Sequence, residues 1–513
     1  MNIVFMRHGE ATDNVKKIIS DKEIYWSTLT KSGVEAALES IEVLPPKIDK
    51  IYVSPFPRTL QTAHYVFEKY YKTEVVIDNR LREINNGKYT QMRNNEDLDG
   101  IRRKQINGDY FVRFGEYGEN KYDIESRLCS FLKDVYDTNF KSNTIIIVSH
   151  GSVISYLKRI LCITSPHVQT GKVEELIDVD FNNFFNYAKK LSKIRLNEIK
   201  KRVEIVKALE INNDLKNNLA KMVRKEFNNA KLAEEHFMNY IDGISTKNLK
   251  NLNNSNLHNG IILVCFYNNF ENFVDKWMKH YIDIGINNFV LIDNNSTDNS
   301  TKKLKAYESA VNISFWEIHE EYNSYKMCGW KQQIFEFYGI NQEYLTVDSD
   351  ELFIYKDYKE TKLINFVKNE KLTIIKTMLL DVYTSKNLLE GSLKDFKYVD
   401  KNTYKTSVDI PCGVRFFGGP ISRVLDINTS LQKISFIKYT GKEIFVSDHF
   451  YYPWNLNNKA KFCAYLLHYN FFIKDDRDLS NYSEYKNISF YDENISILIN
   501  DIDLSCIILY KTN

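Results

Sequence analysis

Asn2-Ile3-Val4-Phe5-Met6-Arg7-His8-Gly9-Glu10 opens the chain. Its uncharged, mostly apolar start reads as a buried strand, and polar groups collect where the strand stops. Thr144-Ile145-Ile146-Ile147-Val148-Ser149-His150-Gly151 has the same shape. In a parallel α/β sheet the carboxyl ends of the strands face one crevice, so the spacing predicts that His8 and His150 meet there. Further strands are predicted at Lys50–Ser54 and Glu74–Ile77, and helices at Ser32–Ile41, Arg58–Tyr71 and Ile124–Asp137. The alternation predicts an α/β layer structure that closes near Leu176.

Four segments of this block carry chemistry: Arg7-His8-Gly9-Glu10 with Asn14, Ser54-Pro55-Phe56-Pro57-Arg58-Thr59, Leu81-Arg82-Glu83, and Ser149-His150-Gly151. Arginine offers planar, bidentate donors to a phosphoryl group. A neutral imidazole is a nucleophile toward phosphorus, and a second can hold a non-bridging oxygen. A carboxylic acid such as Glu83 can protonate a leaving alkoxide if burial keeps it neutral.

These segments, with Thr62-Ala63, Gly118-Glu119 and Arg127, resemble the histidine phosphatase (phosphoglycerate mutase-like) superfamily over residues 1 to about 170. The resemblance implies a three-layer α/β fold, His8 as the phosphorylated nucleophile and Glu83 as proton donor. It also implies a phosphate pocket of Arg7, Asn14, Arg58 and His150, with no cofactor. Ala11 departs from the family pattern, where many members carry Thr. The block lacks a long insertion that would retain a phosphorylated intermediate, which favours hydrolysis of a phosphate monoester. Arg93, Arg102, Arg103 and Arg113 read either as holding the rest of an anionic substrate or as a solvated basic loop.

Beyond Asp178 the pattern changes. Phe184, Ala188, Leu191, Ile199, Val203 and Val206 recur at helical spacing, and a second helix is predicted through Leu215, Leu219, Met222 and Val223. A helical connector over residues 176–257 is expected, its Asn248–Gly260 end a polar linker. A second α/β block follows, with strands at Ile261–Phe266, Asn288–Ile292, Ile313–Trp316 and Tyr344–Val347. Helices are predicted at Phe270–Ile284, Asn299–Tyr307 and Lys326–Phe337. Val347-Asp348-Ser349-Asp350-Glu351 puts paired carboxylates at a strand exit, which suits a hard divalent cation bridging a diphosphate.

That segment, with Asp293-Asn294-Asn295-Ser296-Thr297-Asp298, Lys331-Gln332-Gln333 and Leu467-His468-Tyr469, resembles the GT-A glycosyltransferases of the family 2-like and family 92-like group. The resemblance implies a Rossmann-like fold over residues 258–513 and a nucleotide-sugar donor held by Asp293, Asp348 and Asp350. It implies Mn2+ or Mg2+ on Asp348, Asp350 and His468, with His449 a less favoured completion. Asp381 and Asp409 are both candidates for the catalytic base.

The 513-residue chain thus reads as a phosphatase-like domain (1–175), a connector (176–257) and a glycosyltransferase domain (258–513). The bifunctional reading has a glycan or sugar-phosphate acceptor and a place in surface-polysaccharide or glycoconjugate synthesis. Its alternative is a glycosyltransferase whose phosphatase-like domain only binds a phosphorylated ligand. Lys+Arg 69 against Asp+Glu 67 argues against non-specific nucleic-acid binding. Seven scattered cysteines, with no C-x-x-C, argue against a zinc knuckle or a disulfide framework. The N-terminus does not read as a signal peptide and no run approaches the ~18 apolar residues of a membrane span. A cytoplasmic protein is expected, with peripheral membrane association and self-association through the connector left open.

Overall fold

Asn2–Arg7 pairs in parallel with Thr144–Ser149, in a register that sets Arg7 opposite Ser149. His8 and His150 therefore leave two adjacent strands side by side. The computed structural model describes all of the chain except residues 22–26, 91, 115–117, 139–143, 177, 227–233, 254, 256, 258–259, 387–390, 410–412, 426–429, 448–449, 454, 473–488 and 503–513.

The first of two units comprises Met1–Val203 and Glu226–Glu235. In chain order it contains β1 (Asn2–Arg7), α1 (Thr12–Lys16), α2 (Lys31–Glu42), β2 (Lys50–Val53), α3 (Pro57–Lys69), β3 (Glu74–Ile77), α4 (Glu96–Ile106), α5 (Lys121–Thr138), β4 (Thr144–Ser149), α6 (Gly151–Ile160), β5 (Val173–Leu176) and most of α7 (Phe181–Ala208). The sheet order is β3-β2-β4-β1-β5, and β5 is the antiparallel member. Side chains alternate between its faces. Ile3, Phe5, Ile145 and Ile147 join a core with α5 and α6, while Val4, Met6, Ile146 and Val148 join another with α2 and α3. Helices thus cover the sheet on both sides, which is why its central strands are apolar on both faces.

The helical stretch expected to be a separate connector is divided. Phe181, Phe184 and Leu191 of α7 are buried in the first core. Most of α8 (Asn213–Glu226) and α9 (Glu234–Ser245) belongs to the second unit, which comprises Glu204–Lys225 and His236–Asn513. An amphipathic stripe must be covered, and Val206, Leu215, Leu219, Met222 and Val223 of the later part are buried as well.

The second unit continues through β6 (Lys250–Asn251), β7 (Ile262–Tyr267), α10 (Val274–Asp283), β8 (Asn288–Asp293), α11 (Ser300–Lys305), β9 (Asn312–Glu317), α12 (Ser324–Tyr338), β10 (Glu343–Thr346), β11 (Glu351–Tyr355), α13 (Leu363–Asn369) and β12 (Ile374–Asp381). After β13 (Tyr398–Asp400), β14 (Lys405–Asp409), β15 (Gly413–Phe417) and α14 (Gly419–Leu425) come β16 (Gln432–Lys438), β17 (Ile444–Ser447), β18 (Phe450–Tyr452), α15 (Asn455–Lys459) and β19 (Lys461–His468). Nine strands form one sheet in the order β11-β19-β12-β16-β10-β7-β8-β9-β6. β10, β7, β8 and β9 are mutually parallel, and β16 runs antiparallel between β10 and β12. From β7 the chain builds outward through β8 and β9, then returns to place β10 on the other side of β7. That reversal opens a crevice at the carboxyl ends of β7 and β10.

The expected strands and helices of both blocks are present within a few residues. The Asn248–Gly260 stretch is not only a linker, because β6 pairs antiparallel with β9. Asn253 accepts from Phe315 N and donates to Ile313 O, so its amide continues the edge that the backbone begins. Among the described residues no helix is long and apolar enough to cross a membrane.

Candidate functional site

Several elements of the first unit deliver groups to the carboxyl edge of the sheet. β1 ends at Arg7 and His8, and β4 ends at Ser149, immediately before His150 and the start of α6. Pro57 sits in the first turn of α3, where its missing N–H costs nothing, and Arg58 follows it. The Arg7-His8-Gly9-Glu10 turn lies directly on the start of α2. A Cβ at Gly9 would stand 2.3 Å from the Gly33 carbonyl oxygen, so only glycine fits there.

Arg58 ties the site together. Its Nε donates to His8 Nε2 at 3.3 Å, and its Nη2 lies 3.2 Å from His150 Nδ1. A guanidinium has donors only, so both ring nitrogens present lone pairs to it. His8 Nδ1 must then carry the proton that it gives to the Gly9 carbonyl at 2.7 Å. His150 Nε2 donates likewise to Ser54 Oγ at 2.8 Å. The two rings stand 5.3 Å apart, edge to face. Burial, and then the Arg58 charge, push both histidines well below the ordinary imidazole range. Both are neutral at physiological pH, and a nucleophile at His8 Nε2 requires that state.

Glu83 lies on the far side, with Oε2 3.9 Å from His150 Nδ1 and Oε1 accepting from Ile84 N at 2.9 Å. Burial raises its pKa against the opposing pull of Arg58, in the direction a general acid needs. Arg7 reaches out from β1, and its Nε is buried with no protein partner, a donor left over for an anion. Asn14 turns its Oδ1 back to Ala11 N at 3.0 Å, closing the start of α1.

The structure thus brings Arg7, His8, Arg58, Glu83 and His150 together and gives Asn14 a local bond beside them. Sequence reading missed Ser20, whose carbonyl accepts from Arg58 Nη2 at 2.8 Å, and Asp13, 3.8 Å from Arg58 Nη1. It also missed His167, 3.0 Å from Arg7 Nη1. No spacing signal marks a loop residue that reaches a strand end more than 150 positions away. Glu119 joins Arg82 and Arg127 in a separate ion cluster. Arg113 pairs with Asp123 at 2.7 Å and Arg102 with Asp99 at 3.3 Å, while Arg93 and Arg103 are exposed, so the four do not assemble into one pocket.

In the second unit, the 348–353 turn is suspended from α10. Trp277 Nε1 donates to Asp348 O, Tyr281 OH donates to Glu351 O, and His280 Nε2 donates to Phe353 O. Among the described residues Asp348, Asp350 and His468 do not make up a metal-holding group. Asp348 Oδ2 meets the buried Lys433 ammonium at 2.8 Å, and Lys433 also meets Glu351 at 2.7 Å. Burial opposes ionisation of Asp348, but Lys433 and Lys331 hold its carboxyl well below the usual range.

Asp350 Oδ2 lies 3.8 Å from His468 Nε2, and His468 Nδ1 is held by Asp381 at 2.7 Å. A carboxylate behind a histidine, with the other ring nitrogen facing a second carboxylate, is the outer-shell arrangement of many metal sites. Asp381 thus holds the His468 ring with its Nε2 toward Asp350. Asp381 Oδ2 remains buried without a hydrogen-bond partner. Among the described residues no three His, Cys, Asp or Glu side chains form a group that could hold a metal ion. Burial works against the charge on His468, yet Asp381 and Asp350 raise its pKa to about 9.

Asp293 ends β8, but both its oxygens are engaged, one by Ser296 N at 2.8 Å and one by Thr301 Oγ1 at 2.9 Å. Asp381 is buried, with Oδ1 on His468 and Oδ2 without a hydrogen-bond partner. His449 and the Asp409 side chain lie outside what is described.

A putative phosphoserine phosphatase 2 of Hydrogenobacter thermophilus is 30% identical over 161 residues, 30% of this chain and 74% of that protein. A 2,3-bisphosphoglycerate-dependent phosphoglycerate mutase of Thermoplasma acidophilum is 36% identical over 106 residues, 20% of this chain and 52% of that protein. A mycobacterial glucosyl-3-phosphoglycerate phosphatase structure aligns at 21% identity and a TM-score of 0.30, over 34% of this chain and 92% of that one. Residues 3–173 match the family model described as histidine phosphatase superfamily (branch 1). Through this N-terminal domain, which implies phosphatase or phosphoglycerate mutase-like activity, the chain belongs to the histidine phosphatase superfamily.

Proposed function

We propose that the first unit hydrolyses a small phosphate monoester through a phosphohistidine on His8. The observation that carries this is Arg58, which touches the lone-pair nitrogens of both histidines at once. The ester's phosphoryl oxygens enter among Arg7, Arg58 and His150, where charge-assisted donors stabilise the equatorial oxygens. His8 Nε2 attacks phosphorus as the bond to the ester oxygen breaks, and Glu83 gives its proton to the leaving alkoxide. The Glu83 carboxylate then takes a proton from water, whose oxygen displaces phosphate from His8. Relatives whose names refer to phosphoserine and phosphoglycerate support a small, anionic substrate. Release of phosphate from p-nitrophenyl phosphate in EDTA tests this reading. An inactive, pure wild-type chain would overturn it.

The second unit, in this proposal, transfers a sugar from a nucleotide-sugar donor. Support comes from the strand-order reversal between β7 and β10, with acidic residues at that carboxyl edge. Asp350 and His468 would hold a divalent cation, Asp381 would orient His468, and Lys433 would fix Asp348 beside them. Such a cation would neutralise charge on the leaving diphosphate. Thermal shifts with nucleoside diphosphates, with and without Mn2+, test it, and the absence of any metal-dependent shift would count against it.

A further inference from the structure

Arg7 is held differently from Arg58. Its Nη1 lies 3.0 Å from His167 Nε2 and donates to the Val168 carbonyl at 3.3 Å. Because the guanidinium can only donate, Nε2 must offer a lone pair, and the ring proton must sit on Nδ1. That proton points at Ser155 Oγ, 3.0 Å away. Ser155 in turn donates to the Gly151 carbonyl at 2.9 Å, one helical turn back along α6. Both ring nitrogens of His167 are thus assigned, and the pair of assignments requires a neutral imidazole.

The backbone is shaped to admit it. A Cβ at Gly151 would stand 2.7 Å from both Cε1 and Nε2 of His167, and 3.0 Å from the Arg7 guanidinium carbon. Glycine at the first position of α6 therefore makes room for the ring and the arginine together. His167 lies in the loop between α6 and β5, and it is exposed, so solvent can reach it. The charged groups that face it are Arg7 from β1 and Lys158 from α6. Burial of the ring nitrogens, then Arg7 and Lys158, move its pKa below the ordinary value.

We propose that His167 is a positioning residue of the phosphate pocket: its neutral Nδ1–H tautomer, fixed by Ser155, seats Arg7 for the anion, and protonation of the ring unseats it. The inference rests on the phosphohydrolase reading of the same pocket. It differs from the roles of His8 and His150 because His167 touches Arg7 and not the reacting atoms. Ring protonation replaces the acceptor at Nε2 with a donor facing another donor, so Arg7 loses its support below the pKa of the ring.

The test uses the full chain as wild type, His167→Ala and His167→Gln. Steady-state hydrolysis of p-nitrophenyl phosphate and inhibition by orthovanadate are followed across roughly pH 5–8. Loss of an acceptor to a charged donor predicts that His167→Ala raises KM and weakens vanadate about tenfold, with a smaller change in kcat. Gln places a non-titrating oxygen near the Nε2 position, so His167→Gln should restore most of the affinity and abolish its fall toward acid pH. Histidine 15N spectra should assign the His167 proton to Nδ1. Wild-type KM and pH profile in His167→Ala would overturn the proposal. So would equal damage in Gln and Ala, or a proton on Nε2. If wild type releases no phosphate, the hydrolase reading falls, while vanadate affinity and the 15N tautomer still decide the role of His167.

Discussion

The two candidate sites solve the same electrostatic problem in opposite ways. In the first unit the cations are built in: Arg7 and Arg58 face two neutral imidazoles, and Arg58 is 2% exposed. In the second the acids are built in, and side-chain cations already answer part of them, Lys433 on Asp348 and His468 between Asp350 and Asp381. A pocket that owns its positive charge binds a phosphoryl group as it stands. The proposal for the second unit has its acidic pocket recruit a cation together with its ligand. The contrast teaches that the first site should be insensitive to chelators and the second should not.

The largest effect that could break this contrast lies at His8. His8→Ala should lower phosphate release by at least about 10³-fold and leave nucleotide-sugar binding unchanged. Acid-labile labelling of the protein by a radiolabelled substrate should vanish with it. Normal turnover in the variant would remove the nucleophile from the argument.

Glu83→Gln comes next. General acids contribute about 10²–10⁴-fold, so kcat for a poor leaving group should fall within that range. Because burial raises the Glu83 pKa, the acid stays protonated above the usual carboxylate range, and the rate should decline only as pH passes that raised value. The glutamine variant should lose this descending limb. Equal losses for an aryl and an alkyl phosphate would argue against proton donation.

The second site is sharpened by Asp381→Asn. Outer-shell partners of a ligating histidine are worth about 10–100-fold in metal affinity, and a fall of that size in Mn2+ affinity is expected by calorimetry. His468 must lose its proton to ligate, and its pKa is raised to about 9, so Mn2+ affinity should climb with pH up to about that value and then level off. Asp348→Ala should weaken Mn2+ less than Asp350→Ala, because Asp348 faces Lys433. The reverse order would restore the paired-carboxylate site expected from the sequence.

The smallest effect is expected from Arg102→Ala. Its partner Asp99 is half exposed, and such pairs contribute ~0–1 kcal/mol. KM for p-nitrophenyl phosphate should stay within about twofold. A larger rise would return the basic stretch to the substrate.

His8, Arg58 and His150 were legible as a group because strand ends in a parallel sheet converge, and the β1–β4 register needs only the two apolar runs to be recognised. The pattern also placed β7 to β10, whose continuous apolar runs leave little choice of structure. Periodicity could not allot the α7 stripe, since it says that Phe181, Phe184 and Leu191 need cover but not which core supplies it. Nor could it separate Asp348 from Asp350. Two positions apart on the chain they look equivalent, yet Lys433, from a strand some eighty residues on, takes one, and His468 faces the other. His167 lay wholly beyond reach, because its partners Arg7 and Ser155 meet it only after α6 and its following loop fold back over β1. Local pattern and residue type determine which elements form and which chemistries are available. Which charges end up paired is a property of distances between segments remote in sequence, and only the tertiary structure sets those.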